Sequence, residues 1–219
     1  MSSFRADPLS IRLHAETRAA QGAVQRSGFL DALAAGRLPL QAYAELTAQH
    51  WFIYEALEAA AADMAGDPVA GAFVDRELDR LPWLEADLIF LYGPGWVNRI
   101  VALPATTTYC TRLREVALAA APGFVAHHYA RYLADLSGGQ YLGPAIARSY
   151  GLNGDGHRFF VFPGVDPVAF KARYRRLLDE VAWSRSEERI FMTEVVEAYR
   201  LNIALLTELK ERWAAGSVG

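Results

Sequence analysis

Apolar positions recur at three- and four-residue spacing through most of the chain, the period of a helix that buries one face. The pattern is plainest after Pro39, where Tyr43, Leu46, Thr47, His50, Trp51, Tyr54, Leu57 and Ala61 fall on one stripe. Punctuation residues divide the rest. Asp7-Pro8 reads as an N-cap with proline at the first helical position, so a helix is predicted over about residues 8–26, ending near Ser27-Gly28. A short helical segment, "FLDALAAGRL", stops at Gly36 before the long helix begins. Further helices are predicted over about 76–92, kinked or restarted at Pro82 and closed by "YGPGW", and over about 105–120, stopped by Pro122-Gly123. The next runs from about 123 to 149 and is broken at 137–139; two more cover about 166–181 and 185–213. A capping box at Ser184 and Glu187 opens the last of these. Residues 151–166 are rich in turn formers and hold the only strand-like run, "RFFVF", too short to build a sheet. The pattern predicts an all-α fold, with no repeat or linker dividing residues 1–219 into more than one domain.

Composition narrows the class. With 219 residues, 53% of them hydrophobic and 21% charged, the chain has material for one full core. A net charge of −3 argues against a bulk nucleic-acid binder. No apolar run approaches the roughly 20 residues that span a bilayer, and "MSSFRADPLS" lacks a signal-peptide pattern, so a cytoplasmic protein off the membrane is expected. The lone Cys110 excludes an intrachain disulfide framework and a multi-cysteine metal site, and reads as a buried thiol.

The stretch "YLADLSGGQYLG", residues 132–143, interrupts a helix with two adjacent glycines. Each costs about 1 kcal/mol against alanine in a helix interior. Either the helix ends there, or something approaches its backbone more closely than a Cβ permits. Asp135 lies beside the break, between Leu133 and Leu136, where a carboxylate needs hydrogen bonds. A lone helical aspartate ordinarily faces solvent. The glycines favour another reading, in which a flat ligand lies along backbone 134–139 and Asp135 orders water or a polar ligand atom beside it.

"VAHHYARYLADLSGGQ" closely resembles the distal-helix signature of the heme oxygenases, above all the bacterial biliverdin-forming ones. The resemblance continues in order through "LSIRLHAETRAAQGAVQRSGFLDALAAGRL", "QHWFIYEALE", "LEADLIFLYGPGW", "FKARYRRLLDE" and "AYRLNIALLTELKE". It implies an all-α heme oxygenase-like fold with heme, both substrate and cofactor, held between an N-terminal proximal helix and the kinked distal helix. It also implies that O2 and electrons open the porphyrin to give biliverdin, CO and iron. The electrons would come from a ferredoxin or a reductase, since the chain carries no flavin or nucleotide motif. In that family an aspartate at the place of Asp135 holds water that delivers a proton above the iron, and a tyrosine at the place of Tyr54 helps to anchor it. Ser137, Gly138 and Gly139 would let the backbone pack on the porphyrin face. The resemblance assigns the propionates to Tyr129, to Lys171 and Arg175 of the "FKxxYR" pattern, and to Arg131 as a further basic position. Lys171 and Arg175 are four apart, so one helix face presents both.

The chain departs from the family where the iron would sit. Read against the family pattern "LxxxTxxxHxxxExxxF", Leu13, Thr17 and Phe29 match, but the ligand position is Gln21 and the glutamate one turn later is Gln25. His14 stands where a lysine usually meets a propionate, and Ala134 where the family has the first glycine of "GDLSGG". His14 lies two turns from Gln21, about 10 Å along the axis, and does not replace it without sliding the helix. Gln21 offers iron only a neutral amide oxygen, a weaker donor than imidazole. His50, His127 and His128 read as core or surface histidines. A non-catalytic heme or tetrapyrrole binder that has lost histidine ligation is therefore the rival reading. A non-heme metal site on Glu45, Glu55, Glu58 and His50 is a third, without a companion cluster elsewhere in the sequence.

Overall fold

The computed structural model describes residues 7–25 and 28–215; the side chains of Gln21, of residues 23–25 and of residue 215 lie outside that description. Among the described residues nine α-helices follow one another: α1 Leu9–Gln25, α2 Phe29–Ala34, α3 Leu40–Met64, α4 Leu81–Tyr92, α5 Pro104–Ala119, α6 Ala121–Ala134, α7 Gln140–Tyr150, α8 Pro167–Glu180 and α9 Arg185–Ala215. The same residues contain no strand, as the periodicity predicts. The predicted end of the first helix at Ser27 falls outside the described residues.

Local chemistry accounts for the boundaries. Asp166 caps α8 by accepting from the N–H groups of Val168 and Ala169 at 2.8 and 3.1 Å. The predicted capping box opens α9: Glu187 N–H donates to Ser184 Oγ at 3.3 Å, and Ser184 N–H donates to Glu187 Oε2 at 2.8 Å. Pro122 and Gly123 sit in the first turn of α6, not after α5; the stop is Ala120, whose extended backbone separates the two helices. The start of the helix predicted over about 76–92 is a 3-10 turn, Arg76–Leu78, and α4 begins only at Leu81 with Pro82 in its first turn.

One apolar core joins the ends of the chain, from Leu13 of α1 and Phe29 of α2 to Leu57, Phe124, Tyr174 and Leu205. Each large apolar side chain buried there contributes roughly 1.5–3 kcal/mol. The long α9 is the backbone of this arrangement, packing on α6, α1 and α5, while α3 packs on α4 and α5. Among the described residues no helix is long and apolar enough to cross a membrane.

The strand-like run 158–162 is not a strand. Its first residues form a 3-10 turn, Arg158–Phe160, because their N–H groups bond to a side chain: Asp87 accepts from Arg158 and Phe159 N–H, each at 2.8 Å. Arg80, fully buried, donates to the carbonyls of Leu78 and Val161 at 2.7 Å and lies 3.8 Å over the ring of Phe162. The loop is thus clamped to the segment before α4 and to α4 itself, and it delivers Phe159 and Phe160 to the interrupted helix.

Candidate functional site

The interruption is a π turn, Asp135–Gly139, inserted between α6 and α7. The helix does not end at its glycines; it widens and continues, a geometry common at functional positions. Its two glycines differ in purpose. Gly138 is exposed, and a Cβ there would meet nothing within 4 Å; Gly139 is buried, and its Cβ would stand 3.3 Å from the Phe160 ring. Only Gly138 therefore leaves bare backbone toward open space. Ala134 and Ser137 are exposed beside it. Ser137 Oγ donates to Leu133 O at 2.7 Å and receives Lys171 Nζ at 3.3 Å. A flat apolar ring can lie on this surface, with a cation from α8 at its edge.

Asp135 is half-buried and its carboxylate points inward, accepting a hydrogen bond from Tyr54 Oη. Tyr54, fully buried on α3, packs edge-on against Tyr132 and Phe159, with centroids 5.4 and 5.5 Å away. Burial pushes the Asp135 carboxyl above the ordinary carboxylate range; Arg131, the Tyr54 hydrogen bond and Arg80 oppose this without cancelling it. Burial, reinforced by Asp135, holds the Tyr54 phenol well above its usual value. The pair is a poised carboxyl with a fixed hydroxyl donor.

Arg131 is elsewhere than the resemblance implies. Its side chain does not reach a pocket mouth; it is buried, donating to Asn202 Oδ1 at 3.1 Å with its guanidinium 5.2 Å from the Tyr54 ring centre. The acidic and phenolic groups around it, Tyr54 first, raise its pKa in spite of burial, so it stays charged beside Asp135. Tyr129 is buried with its ring 6.0 Å from Tyr174 and 6.3 Å from Phe191. Burial raises its phenol, and Arg175 pulls the other way. Lys171 is half-buried and Arg175 exposed, one turn apart on α8.

On α1, Leu13 and Thr17 are buried, with Thr17 Oγ1 donating to Leu13 O at 2.8 Å, and Phe29 is buried in α2. The backbone of Gln21 and Gln25 belongs to α1, but their side chains lie outside the described residues. His14 is exposed and is the only imidazole among the described side chains of that helix. His50 is half-buried with its ring 5.0 Å from Phe159, and burial drives its pKa well down. His128 is buried, its Nδ1 3.1 Å from Tyr174 Oη, and burial pushes it down to about 3. The third sequence reading meets other partners. Glu45 pairs with Arg212 and Trp213, Glu55 with Arg114, and Glu58 with the N–H groups of Arg80 and Leu81. Among the described residues no group of His, Cys, Asp and Glu could hold a metal ion.

Several residues at the site have no sequence signal of their own. Tyr109 and Asn202 come from α5 and α9 and meet Arg131 only through the fold; Arg80 meets Glu58, which the sequence offered only as a metal ligand, across the α3–α4 packing. Tyr132, one residue beyond Arg131, was legible as a neighbour within the signature itself.

An all-α scaffold with a π turn that exposes backbone above a tyrosine-held aspartate defines the class. The family model for heme oxygenase matches residues 7–208, and the chain belongs to the heme oxygenase family. It is 32% identical over 204 residues to heme oxygenase 1 of Nostoc sp., covering 92% of this chain and 86% of that one. It is 32% identical over 207 residues to the heme oxygenase of Rhodella violacea, covering 94% and 88%. Among solved structures it superimposes on the heme complex of heme oxygenase-1 from the cyanobacterium Synechocystis sp. with a TM-score of 0.90 at 29% identity, covering 95% of each chain. The heme oxygenase of Leptospira interrogans gives 0.86 at 31% identity, covering 92% of this chain and 99% of that one.

Proposed function

We infer that this chain cleaves heme, with O2 and electrons, to biliverdin, CO and iron, the family's reaction. The observation that carries the reading is Asp135, held by Tyr54 and facing the charged Arg131, directly beside the open backbone of Gly138. The residues present fit a porphyrin. Bare backbone at Gly138 accepts its face, and Lys171 at Ser137, with Arg175 one turn on, offers charge-assisted bonds to its carboxylates. Tyr129, behind them on α6, supports that edge.

Bound heme supplies the iron and the electron-accepting ring. The chain's own part is a proton. Tyr54 Oη donates to Oδ2 of Asp135, which leaves Oδ1 free to bond a water. A carboxyl raised by burial carries its proton closer to neutrality than an exposed one, so Asp135 can give it up through that water and regain it. Arg131 remains cationic through the cycle and limits how far Asp135 rises. Ala134, in place of a glycine, adds a methyl to the same wall. Gln21 would be the residue to hold the iron, through an amide oxygen that is a neutral donor; Gln25 follows one turn on in α1. A ferredoxin or a reductase would deliver electrons from outside, in the cytoplasm. The whole chain, residues 1–219, would act as one heme oxygenase domain.

Gln21 and Gln25 favour the second reading, a tetrapyrrole-binding protein without turnover. Titration with hemin, followed by reductant and O2, separates the two. The expected result is saturable binding with a Soret band, then its loss with growth of biliverdin absorbance. A stable complex under the same conditions would support the binding protein, and no complex would overturn both.

A further inference from the structure

Behind the π turn, aromatic rings follow one another from the site toward the surface. The Tyr54 ring lies 5.4 Å from that of Tyr132, Tyr132 lies 4.6 Å from His128, and His128 stacks on Tyr174 at 5.8 Å. Tyr174 is 6.0 Å from Tyr129, Tyr129 is 6.3 Å from Phe191, and Phe191 is 5.0 Å from Trp183. The line draws on α3, α6, α8 and α9 and ends in the loop before α9. Its inner rings are buried, whereas Trp183 is half-buried between the exposed Ala182 and Ser184. Rings in a core ordinarily serve packing alone. This line also joins a reactive site to solvent.

Two of its phenols have a proton acceptor in place. Tyr54 Oη donates to the Asp135 carboxylate, beside the backbone on which a porphyrin would lie. Tyr174 Oη is 3.1 Å from His128 Nδ1 and 3.5 Å from the Val125 carbonyl oxygen, so the ring nitrogen is its nearer acceptor. Burial holds both phenols well above their usual values and keeps His128 a neutral imidazole, pushed down to about 3. Each is therefore a neutral phenol with a base beside it. A phenol surrenders an electron far more readily when its proton leaves at the same moment, because its radical cation is a very strong acid. The indole at the end of the line yields an electron without such a partner.

We propose that Tyr54, Tyr174 and Trp183 are the stations of a redox relay that carries oxidising equivalents out of the heme pocket to a small reductant in water at Trp183. The proposal rests on heme binding at the π turn, not on heme degradation. The oxidant is peroxide that the pocket does not spend on the ring. One electron leaves Tyr54 for it, and the Tyr54 O–H proton passes to Asp135. Tyr174 then gives an electron to Tyr54 through the Tyr132 and His128 rings; Asp135 returns the first proton, and the Tyr174 proton moves to His128 Nδ1. Trp183 reduces Tyr174 through Tyr129 and Phe191, and His128 returns the second proton. The indole radical cation takes its electron from an enediol of the ascorbate type. Two passes convert one peroxide to two waters with two protons from solvent, while the enediol loses two electrons and releases two protons. The chain ends each pass unchanged.

The first test uses the full chain free of heme. A thiol-reactive ruthenium polypyridyl photo-oxidant is attached at Ser137→Cys in the Tyr141→Phe background, because Tyr141 is 88% exposed close by on α7. Cys110 is buried with its thiol pushed up to about 11, so it stays unlabelled. A flash with an electron acceptor present is expected to leave a tryptophan radical, read by electron paramagnetic resonance, that Trp183→Phe abolishes and Tyr174→Phe slows about tenfold. Trp183→Phe keeps a ring at a half-buried loop position, so it tests the relay even if Tyr174→Phe unfolds. A radical that survives Trp183→Phe, forms as fast in Tyr174→Phe, or never reaches a tryptophan would overturn the relay. In the hemin-loaded chain given hydrogen peroxide, peptide mass spectrometry is expected to find oxygen added at Trp183, suppressed by ascorbate, and Trp183→Phe should move the damage inward to Tyr174 and Tyr54. Damage that ignores Trp183 would also overturn it. Should hemin fail to bind, the assigned function fails, while the photo-oxidation still decides whether the relay exists.

Discussion

Phe160 packs so closely on Gly143 that a Cβ added to the glycine would stand 2.6 Å from the Cβ of the phenylalanine. Both atoms belong to stiff positions, one on α7 and one in the loop clamped by Asp87 and Arg80, so neither can give way cheaply. Gly143→Ala is therefore expected to destabilise the protein by about 1–3 kcal/mol through overpacking. Gly138→Ala meets open space and is expected to change stability by less than about 1 kcal/mol, in the favourable direction of helix propensity. Hemin affinity reverses the order: it falls for Gly138→Ala, whose new methyl stands where the ring would lie. Urea unfolding and Soret titration of both variants check the pair.

Asp135 and Tyr54 make a second prediction. Asp135→Asn retains the shape and loses the ionisable group, so turnover is expected to fall by about 100-fold or more with hemin binding nearly unchanged. Tyr54→Phe removes a hydrogen bond that lowers the Asp135 pKa, so that pKa moves further up. The alkaline limb of the turnover profile, set by loss of the Asp135 proton, should shift to higher pH. A pH profile of biliverdin formation for each variant is the measurement.

Much of this was written in the chain. The apolar period marks the long helices, the Ser184 and Glu187 pair opens α9, and the Ser-Gly-Gly triplet flags the π turn. The failures share a physical cause. "RFFVF" carries strand propensity, but its first two backbone N–H groups are taken by Asp87, 71 and 72 residues away, and propensity does not register such a partner. Gly139 faces Phe160, so packing as well as any ligand excludes a side chain there, which the sequence does not register. Arg131, given by the resemblance as a further basic position for the propionates, is instead buried because α9 supplies Asn202 and α3 supplies the Tyr54 ring. Residues four apart are visible in sequence; partners on other helices are not.

Buried histidine sets the acid limit of stability. His128 is pushed down to about 3 in the folded chain against the ordinary 6.5 of an exposed imidazole, so the unfolded chain binds the proton first. Its contribution is present above about pH 6.5 and is lost as pH falls toward 3, roughly 1.4 kcal/mol per pH unit. His50 acts in the same sense. Glu58, raised to about 7, acts oppositely, its contribution fading as pH rises from 4.5 through 7. Urea-unfolding free energies measured between neutrality and mild acid should fall with pH, and His128→Phe should flatten the slope.

Gln21 is the departure with the clearest spectroscopic consequence. Imidazole is a stronger donor to iron than an amide oxygen. Gln21→His is expected to give the hemin complex a histidine-ligated spectrum and to raise affinity. An unchanged spectrum would contradict the placement of residue 21 at the axial position.

The central claim is that the unaltered chain, with Gln21 in place, opens heme. Its most direct measurement is CO release during a single turnover of the hemin complex supplied with reductant and O2. The account predicts CO appearing in step with biliverdin, at rates that collapse in Asp135→Asn; a reduced complex that persists in O2 without CO would contradict it.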